Sequence, residues 1–155
     1  MKGNPKLIDT LNLLLSDELT AISQYIVHSE MCANWGYDEL HDAIEKRAID
    51  EMKHAEKLIA RIIFLEGLPI VSKLGAMHIG AAVPEQLEND LQSEYGAVKG
   101  YNEGVRLAVE SADNTTRALL ESILHDEEDH IDWLEAQRDQ IQQMGLSAYL
   151  AQQIE

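Results

Sequence analysis

Cysteine is nearly absent. Cys32 stands alone among 155 residues, which excludes an intrachain disulfide framework and any four-cysteine zinc or iron–sulfur site. Cationic side chains are scarce too, with 12 Lys and Arg against 28 Asp and Glu and a formal net charge of −16. A nucleic-acid-binding surface needs clustered Lys and Arg to meet phosphates, so that class is excluded. An acidic chain attracts cations instead, although most of these carboxylates read as a solvated surface. No basic, apolar and small-residue leader opens the chain, and no apolar run reaches bilayer-spanning length. A cytoplasmic protein without membrane contact is expected. Strand-length alternation and a Gly-rich phosphate loop are missing as well. The remainder, 45% apolar and 26% charged, is ordinary for a globular protein. A single domain over 1–155 with a substantial core is expected.

Helix punctuation divides the chain into four long helices and a short fifth. Asn4-Pro5 reads as a start and Trp35-Gly36 as a stop. Asp38 can cap a second helix that ends at Glu66-Gly67, with Pro69 close behind. Pro84 opens a third that runs to about Ala112, Asp113 or Asn114 caps a fourth that stops near Gly145, and Ser147 can cap a short fifth that ends near Gln153. Short joins at 36–38 and 112–114 imply antiparallel hairpins, while 67–83 is long enough to cross the length of a bundle.

Through this frame runs a duplicated pattern. Glu18 precedes Glu51-Met52-Lys53-His54, and Glu94 precedes Glu127-Glu128-Asp129-His130 by the same interval, so that one constant offset relates the two copies. A helical Glu-x-x-His places a carboxylate and an imidazole on one face. From Glu18 up to Trp35 is a climb of about 25 Å, and from Asp38 down to Glu51 a descent of about 20 Å, at roughly 1.5 Å per residue. Both carboxylates therefore reach nearly the same depth, and the second hairpin repeats the interval from Glu94 to Ser111 and from Asn114 to Glu127. The stripe Leu7, Leu11, Leu14, Glu18, Ala21, Tyr25 and its counterpart Leu87, Leu91, Glu94, Val98, Tyr101, Val105 turn the Glu residues inward. A buried unpaired carboxylate normally neutralises or finds a cation. Four carboxylates and two imidazoles favour two iron or manganese ions over thiolate-preferring zinc. By symmetry Glu51 and Glu127 should bridge, with Glu18 and His54 on one ion and Glu94 and His130 on the other. Two adjacent Fe(II) ions can reduce O2 or H2O2 by two electrons.

Three aromatic residues and one thioether stand near this set. Tyr25 follows Glu18 by two helical turns and Tyr101 matches it after Glu94. Core packing is their commoner role, and electron donation the sharper alternative. Trp133, one turn after His130, carries the same ambiguity. Met52 sits about 130° from the Glu51–His54 direction and should leave the bundle. Ala48, Ile49 and Ile59, with Leu15, Leu19, Ile22 and Ile26 from the first helix, complete an outward apolar face suited to association. Interface filler is the simpler reading of Met52 and haem-iron ligation the alternative.

Ile49-Asp50-Glu51-Met52-Lys53-His54-Ala55, Phe64-Leu65-Glu66-Gly67-Leu68-Pro69, Asp126 to Glu135, Met144-Gly145-Leu146 and the opening Met1-Lys2-Gly3 resemble the bacterioferritins, the haem-containing branch of the ferritin family. The resemblance implies an all-α ferritin-like four-helix bundle with one long crossover and a short fifth helix. It implies oxidation of Fe(II) at a di-iron (Fe2+/Fe3+) ferroxidase centre formed by Glu18, Glu51, His54, Glu94, Glu127 and His130. It further implies storage of ferric mineral in a hollow 24-subunit homo-oligomeric shell built from two-fold dimers. Met52 matches the family's ligand to a haem b shared across the dimer, and Asn34, Glu66, Asp132 and Asp139 match pore-lining residues. A ferredoxin is the family's type of electron donor for iron release. Asp50 matches an inner-surface iron ligand, but Lys46 stands where the family has a His four residues before it, and with Arg47 following these two cations argue against that ion. Two alternatives remain: a di-iron peroxidase or oxygenase of rubrerythrin type, disfavoured by the lack of Cys-x-x-Cys, and a non-catalytic haem-binding shell subunit.

Overall fold

The computed structural model describes residues 1–155, and five helices account for the regular structure: α1 (Pro5–Asn34), α2 (Asp38–Phe64), α3 (Val83–Glu110), α4 (Asn114–Met144) and α5 (Leu146–Ala151). None is long and apolar enough to cross a membrane. α1 pairs with α2 and α3 with α4 as antiparallel hairpins, and α1 packs on α3. The expected all-α ferritin-like bundle with one crossover is therefore the observed architecture.

Polar side chains cap two of the five helices, α1 and α4. The Asn4 carboxamide accepts from Lys6 N at 2.9 Å and Leu7 N at 3.4 Å, which satisfies first-turn donors. Asp113 caps α4 through Thr116 N at 3.0 Å, and Arg61 of α2 reaches the same carboxylate at 2.8 Å. Other expected ends differ. Asp38 is already inside α2, where Tyr37 occupies the cap position without a side-chain bond. Ser147 lies inside α5, where Gly145 (φ 83°) occupies the cap position instead. The left-handed residue closing α2 is Glu66 (φ 63°), not Gly67. Gly67 answers a packing demand: a Cβ there would come within 2.6 Å of Ile8 Cγ2.

The crossover follows α1 along a ladder of polar side chains spaced four apart. Asn12 bonds the backbone of Leu68 and Ile70, Ser16 that of Lys73, Thr20 that of Gly75, Gln24 that of His78 and His28 that of Gly80. α5 folds over the end of the bundle, where buried Tyr149 donates to Gln137 at 2.7 Å.

The core is two apolar clusters rather than one. Leu11, Leu14, Leu58, Ile62, Leu120 and Ile123 belong to the first, and Leu40, Ile44, Leu87, Leu91 and Leu134 to the second. All six residues of the duplicated pattern are buried at a level between them. Expected inward residues Val98 and Val105 are only half-buried. Leu15 and Ala48, assigned to the outward face, are buried in the core at 0% and 2% exposure. The inward stripe is broader than a single row, as packing against two neighbouring helices requires.

Candidate metal centre

One residue from α1, one from α3 and two each from α2 and α4 meet in this layer, each between 1% and 3% exposed. Ligand atoms fall into two groups, Glu18, Glu51, His54, Glu127 and Glu51, Glu94, Glu127, His130, each spanning no more than 4.8 Å. Glu51 and Glu127 belong to both. His54 Nδ1 lies 2.8 Å from Glu127 Oε1, 3.4 Å from Glu51 Oε2 and 3.6 Å from Glu18 Oε2. His130 Nδ1 lies 3.0 Å from Glu51 Oε1 and 3.3 Å from Glu94 Oε1. The two imidazole rings face one another at 6.3 Å between centroids, inclined by 25°.

Among these six residues only His130 Nδ1 and Glu94 Oε1, at 3.3 Å, form a hydrogen bond. Glu18 Oε2, Glu51 Oε1, His54 Nδ1, Glu94 Oε2 and Glu127 Oε1 are fully buried without a hydrogen-bond partner, even though His54 Nδ1 and Glu127 Oε1 are 2.8 Å apart. Each such orphan costs about 1–3 kcal/mol. A shared cation removes that cost at once, so the residues fit a pair of metal ions.

With protons as the only cations, the cluster holds charge unevenly. Burial, then the neighbouring Glu18, pushes Glu51 well above the usual carboxylate range. Burial, then Glu51, does the same to Glu94. Burial opposes a charged Glu127, yet its close neighbours Glu94 and His54 together outweigh burial and lower its carboxyl below the usual range. Burial opposes a charged His54, yet Glu127 and Glu18 prevail and raise it to about 10. Protons and metal ions therefore compete for one set of atoms.

The surroundings cross between the repeats. Tyr25 donates to Glu94 Oε1 at 2.6 Å, and Tyr101 donates to Glu18 Oε1. Burial, then the bonded carboxylate's charge, holds both phenols well above their ordinary range. Asp126 Oδ2 lies 3.0 Å from His54 Nε2, and Asp50 Oδ2 3.7 Å from His130 Nε2. Asp126 is the partner that sequence reasoning misses as a functional residue. It holds in the second repeat the place of Asp50 in the first, immediately before Glu127. That correspondence was the available signal.

Other sequence-derived candidates lie apart. Met52 is 45% exposed and points away from the centre. Lys46 is exposed, and the Arg47 guanidinium sits 5.8 Å from the half-buried Trp133 ring centroid. Asn34, Glu66, Asp132 and Asp139 are all exposed. Asn34 ends α1 and Glu66 follows α2, so they sit at opposite ends of one hairpin, about 40 Å apart at roughly 1.5 Å per residue. One chain does not bring these four together. A separate trio, Glu30, His41 and Glu45, also gathers ligand atoms, but Glu30 is exposed and the other two only half-buried.

Comparison with known proteins agrees with this geometry. The ferritin-like domain family matches residues 8–144. A bacterioferritin of Mycobacterium leprae is 42% identical over 152 residues, covering 98% of this chain and 96% of the relative. Those of Brucella melitensis, 42% identical over 96% of this chain and 92% of the relative, and Rhodobacter capsulatus, 43% over 94% and 90%, are similarly close.

Proposed function

The chain belongs to the ferritin family, with bacterioferritins among its relatives, and from that premise we propose that it stores iron as a ferroxidase. Residues 1–155 would form a single di-iron domain. Fe(II) is the substrate and O2 or H2O2 the oxidant. The carrying observation is the set of five buried, partnerless ligand atoms on Glu18, Glu51, His54, Glu94 and Glu127.

In this reading Glu51 and Glu127, common to both ligand groups, would be shared by two iron ions, and Glu18 and His54 would hold one while Glu94 and His130 would hold the other. Carboxylates tolerate the change from Fe(II) to Fe(III) because they are hard anionic ligands. The apolar clusters on either side keep water out of the layer. Tyr25 steadies Glu94 and is the nearest candidate electron donor to that carboxylate. Oxidised iron passes to a ferric mineral inside a 24-subunit shell of two-fold dimers, with Asn34, Glu66, Asp132 and Asp139 brought to its pores by different subunits. Met52, on an outward face with Ile49 at 40% exposure, would hold haem b at the two-fold interface, a group that supplies an electron path when bound. A ferredoxin would deliver electrons for iron release. Asp50 interacts with His130 in preference to an inner-surface ion.

Adding two Fe(II) per subunit in air should give a rapid rise in ferric absorbance, and Glu127→Ala should abolish it. An unchanged rate in that variant would remove the centre from the reaction. Particle mass tells the shell from a rubrerythrin-type peroxidase or oxygenase, and the oxidation rate tells it from a non-catalytic haem-binding subunit.

A further inference from the structure

Each terminal carboxylate of the centre faces two ways. Glu18 Oε1 accepts from the Tyr101 phenol and Glu94 Oε1 from the Tyr25 phenol, whereas Glu18 Oε2 and Glu94 Oε2 are buried without partners. Both carboxylates belong to the ligand groups. Thus a phenol holds one oxygen of each and the other has no partner, although Glu94 Oε1 also meets His130 Nδ1 at 3.3 Å. Tyr25 is 1% exposed and Tyr101 0%, so neither hydroxyl bonds solvent. The offset that relates the two carboxylates also relates the two tyrosines, and each phenol serves the carboxylate of the opposite repeat.

We infer that Tyr101 is a second electron donor, equivalent to Tyr25, and that the paired phenols let the centre reduce O2 to water instead of hydrogen peroxide. This rests on the ferroxidase reading above. Two Fe(II) ions supply two electrons and each phenol one more. The electron leaves through the bonded carboxylate, and the phenolic proton crosses to the carboxylate oxygen and on to product water. The balance is 2 Fe(II) + O2 + 2 Tyr–OH + 2 H⁺ → 2 Fe(III) + 2 Tyr–O• + 2 H2O. Each phenoxyl returns to phenol by taking one electron from a further Fe(II) and one proton. A single phenol would bring the count to three electrons and leave oxygen at the level of a hydroxyl radical. A second phenol makes the count even, which gives the duplication a chemical purpose.

The test mixes assembled protein, loaded anaerobically with two Fe(II) per subunit, with excess O2. Released hydrogen peroxide and the freeze-quenched tyrosyl radical signal are measured for wild type, Tyr25→Phe, Tyr101→Phe and the double variant. Wild type should form the radical and release no peroxide. In each single variant the remaining phenol would bring oxygen only to the three-electron level, so that phenol should stay reduced, the radical should be lost and peroxide should be released in half the amount of iron oxidised. The double variant should form no radical and release peroxide in half the amount of iron oxidised. Peroxide at that yield from wild type, reaction with H2O2 but not O2, or a full radical signal in Tyr101→Phe would each overturn the inference. Failure of wild type to oxidise Fe(II) with either oxidant would overturn the ferroxidase reading itself. The wild-type radical and peroxide measurements stand even if Tyr101→Phe does not fold.

Discussion

A neutral imidazole offers an ion one lone pair, and the hydrogen bond at its other nitrogen decides which. His54 meets Asp126 through Nε2 at 3.0 Å, which leaves Nδ1 toward the ligand group. His130 stands 3.7 Å from Asp50 at the corresponding nitrogen, so its ring is held less firmly. Asp126→Ala should therefore weaken metal binding at the Glu18–His54 position by about 10–100-fold, and Asp50→Ala should cost the opposite position less. Stepwise Co(II) titration, followed by its visible absorbance, reads both affinities. Undiminished binding in Asp126→Ala would mean that packing alone orients the ring. The six residues of the centre were legible in the sequence as one inward group, because a helix converts a spacing into a face. Which aspartate or tyrosine serves which ligand was not, because each such contact joins residues from different repeats and the hairpin packing selects the partner. Met52 was legible as outward-facing for the same helical reason, and it is 45% exposed.

Helix ends were readable where a side chain supplies the cap, as at Asn4 and Asp113. The path of the crossover was not, since 67–83 has no periodicity of its own. Its guide lies instead on α1, in the row Asn12, Ser16, Thr20, Gln24, His28. The row continues into the core: His28 accepts from Gly80 N at Nε2 and meets Asp90 through Nδ1 at 2.8 Å, so Nδ1 carries the proton and the strap is tied to α3. Thr20→Val keeps the shape but leaves Gly75 N–H without its 2.8 Å acceptor. A loss of about 0.5–1.5 kcal/mol is expected, read by denaturant unfolding, with faster hydrogen exchange confined to the crossover. At the other end of the bundle Asp113 joins α4 to α2. Burial opposes its charge, but the Thr116 bonds and Arg61 outweigh burial and hold its carboxyl below the ordinary value. A depressed folded value stabilises the protein above the unfolded value of about 3.9, and that contribution is lost as pH falls through the folded value. Asp113→Ala should cost about 1 kcal/mol near neutrality, and the gap to wild type in thermal unfolding should close below about pH 4. A constant gap across that range would assign the effect to something other than the carboxylate.

Charge and apolar surface oppose one another in the whole molecule. At −16 per chain, copies repel at long range, with a reach of about 8 Å in physiological salt and about 30 Å at 0.01 M. Assembly therefore needs contact burial, and the apolar residues left on the outside of α1 and α2 supply a surface for it. Ile26, Ile49 and Met52 are 43%, 40% and 45% exposed, with partly buried Leu19, Ile22 and Ile59 beside them. Repulsion and burial are separated by placing a cation on this face. Ile49→Lys makes each chain less negative, so electrostatics alone predicts tighter association. If the face is the two-fold interface, the buried ammonium costs more than that gain, and the particle should fall to subunits at a salt concentration where wild type stays assembled. Analytical ultracentrifugation reads the mass, and unchanged far-UV circular dichroism would show that the bundle itself survives. Haem uptake should vanish with the dimer, because Met52 lies one helical turn from Ile49 on the same side of α2. An intact particle with full haem uptake would place the association surface elsewhere.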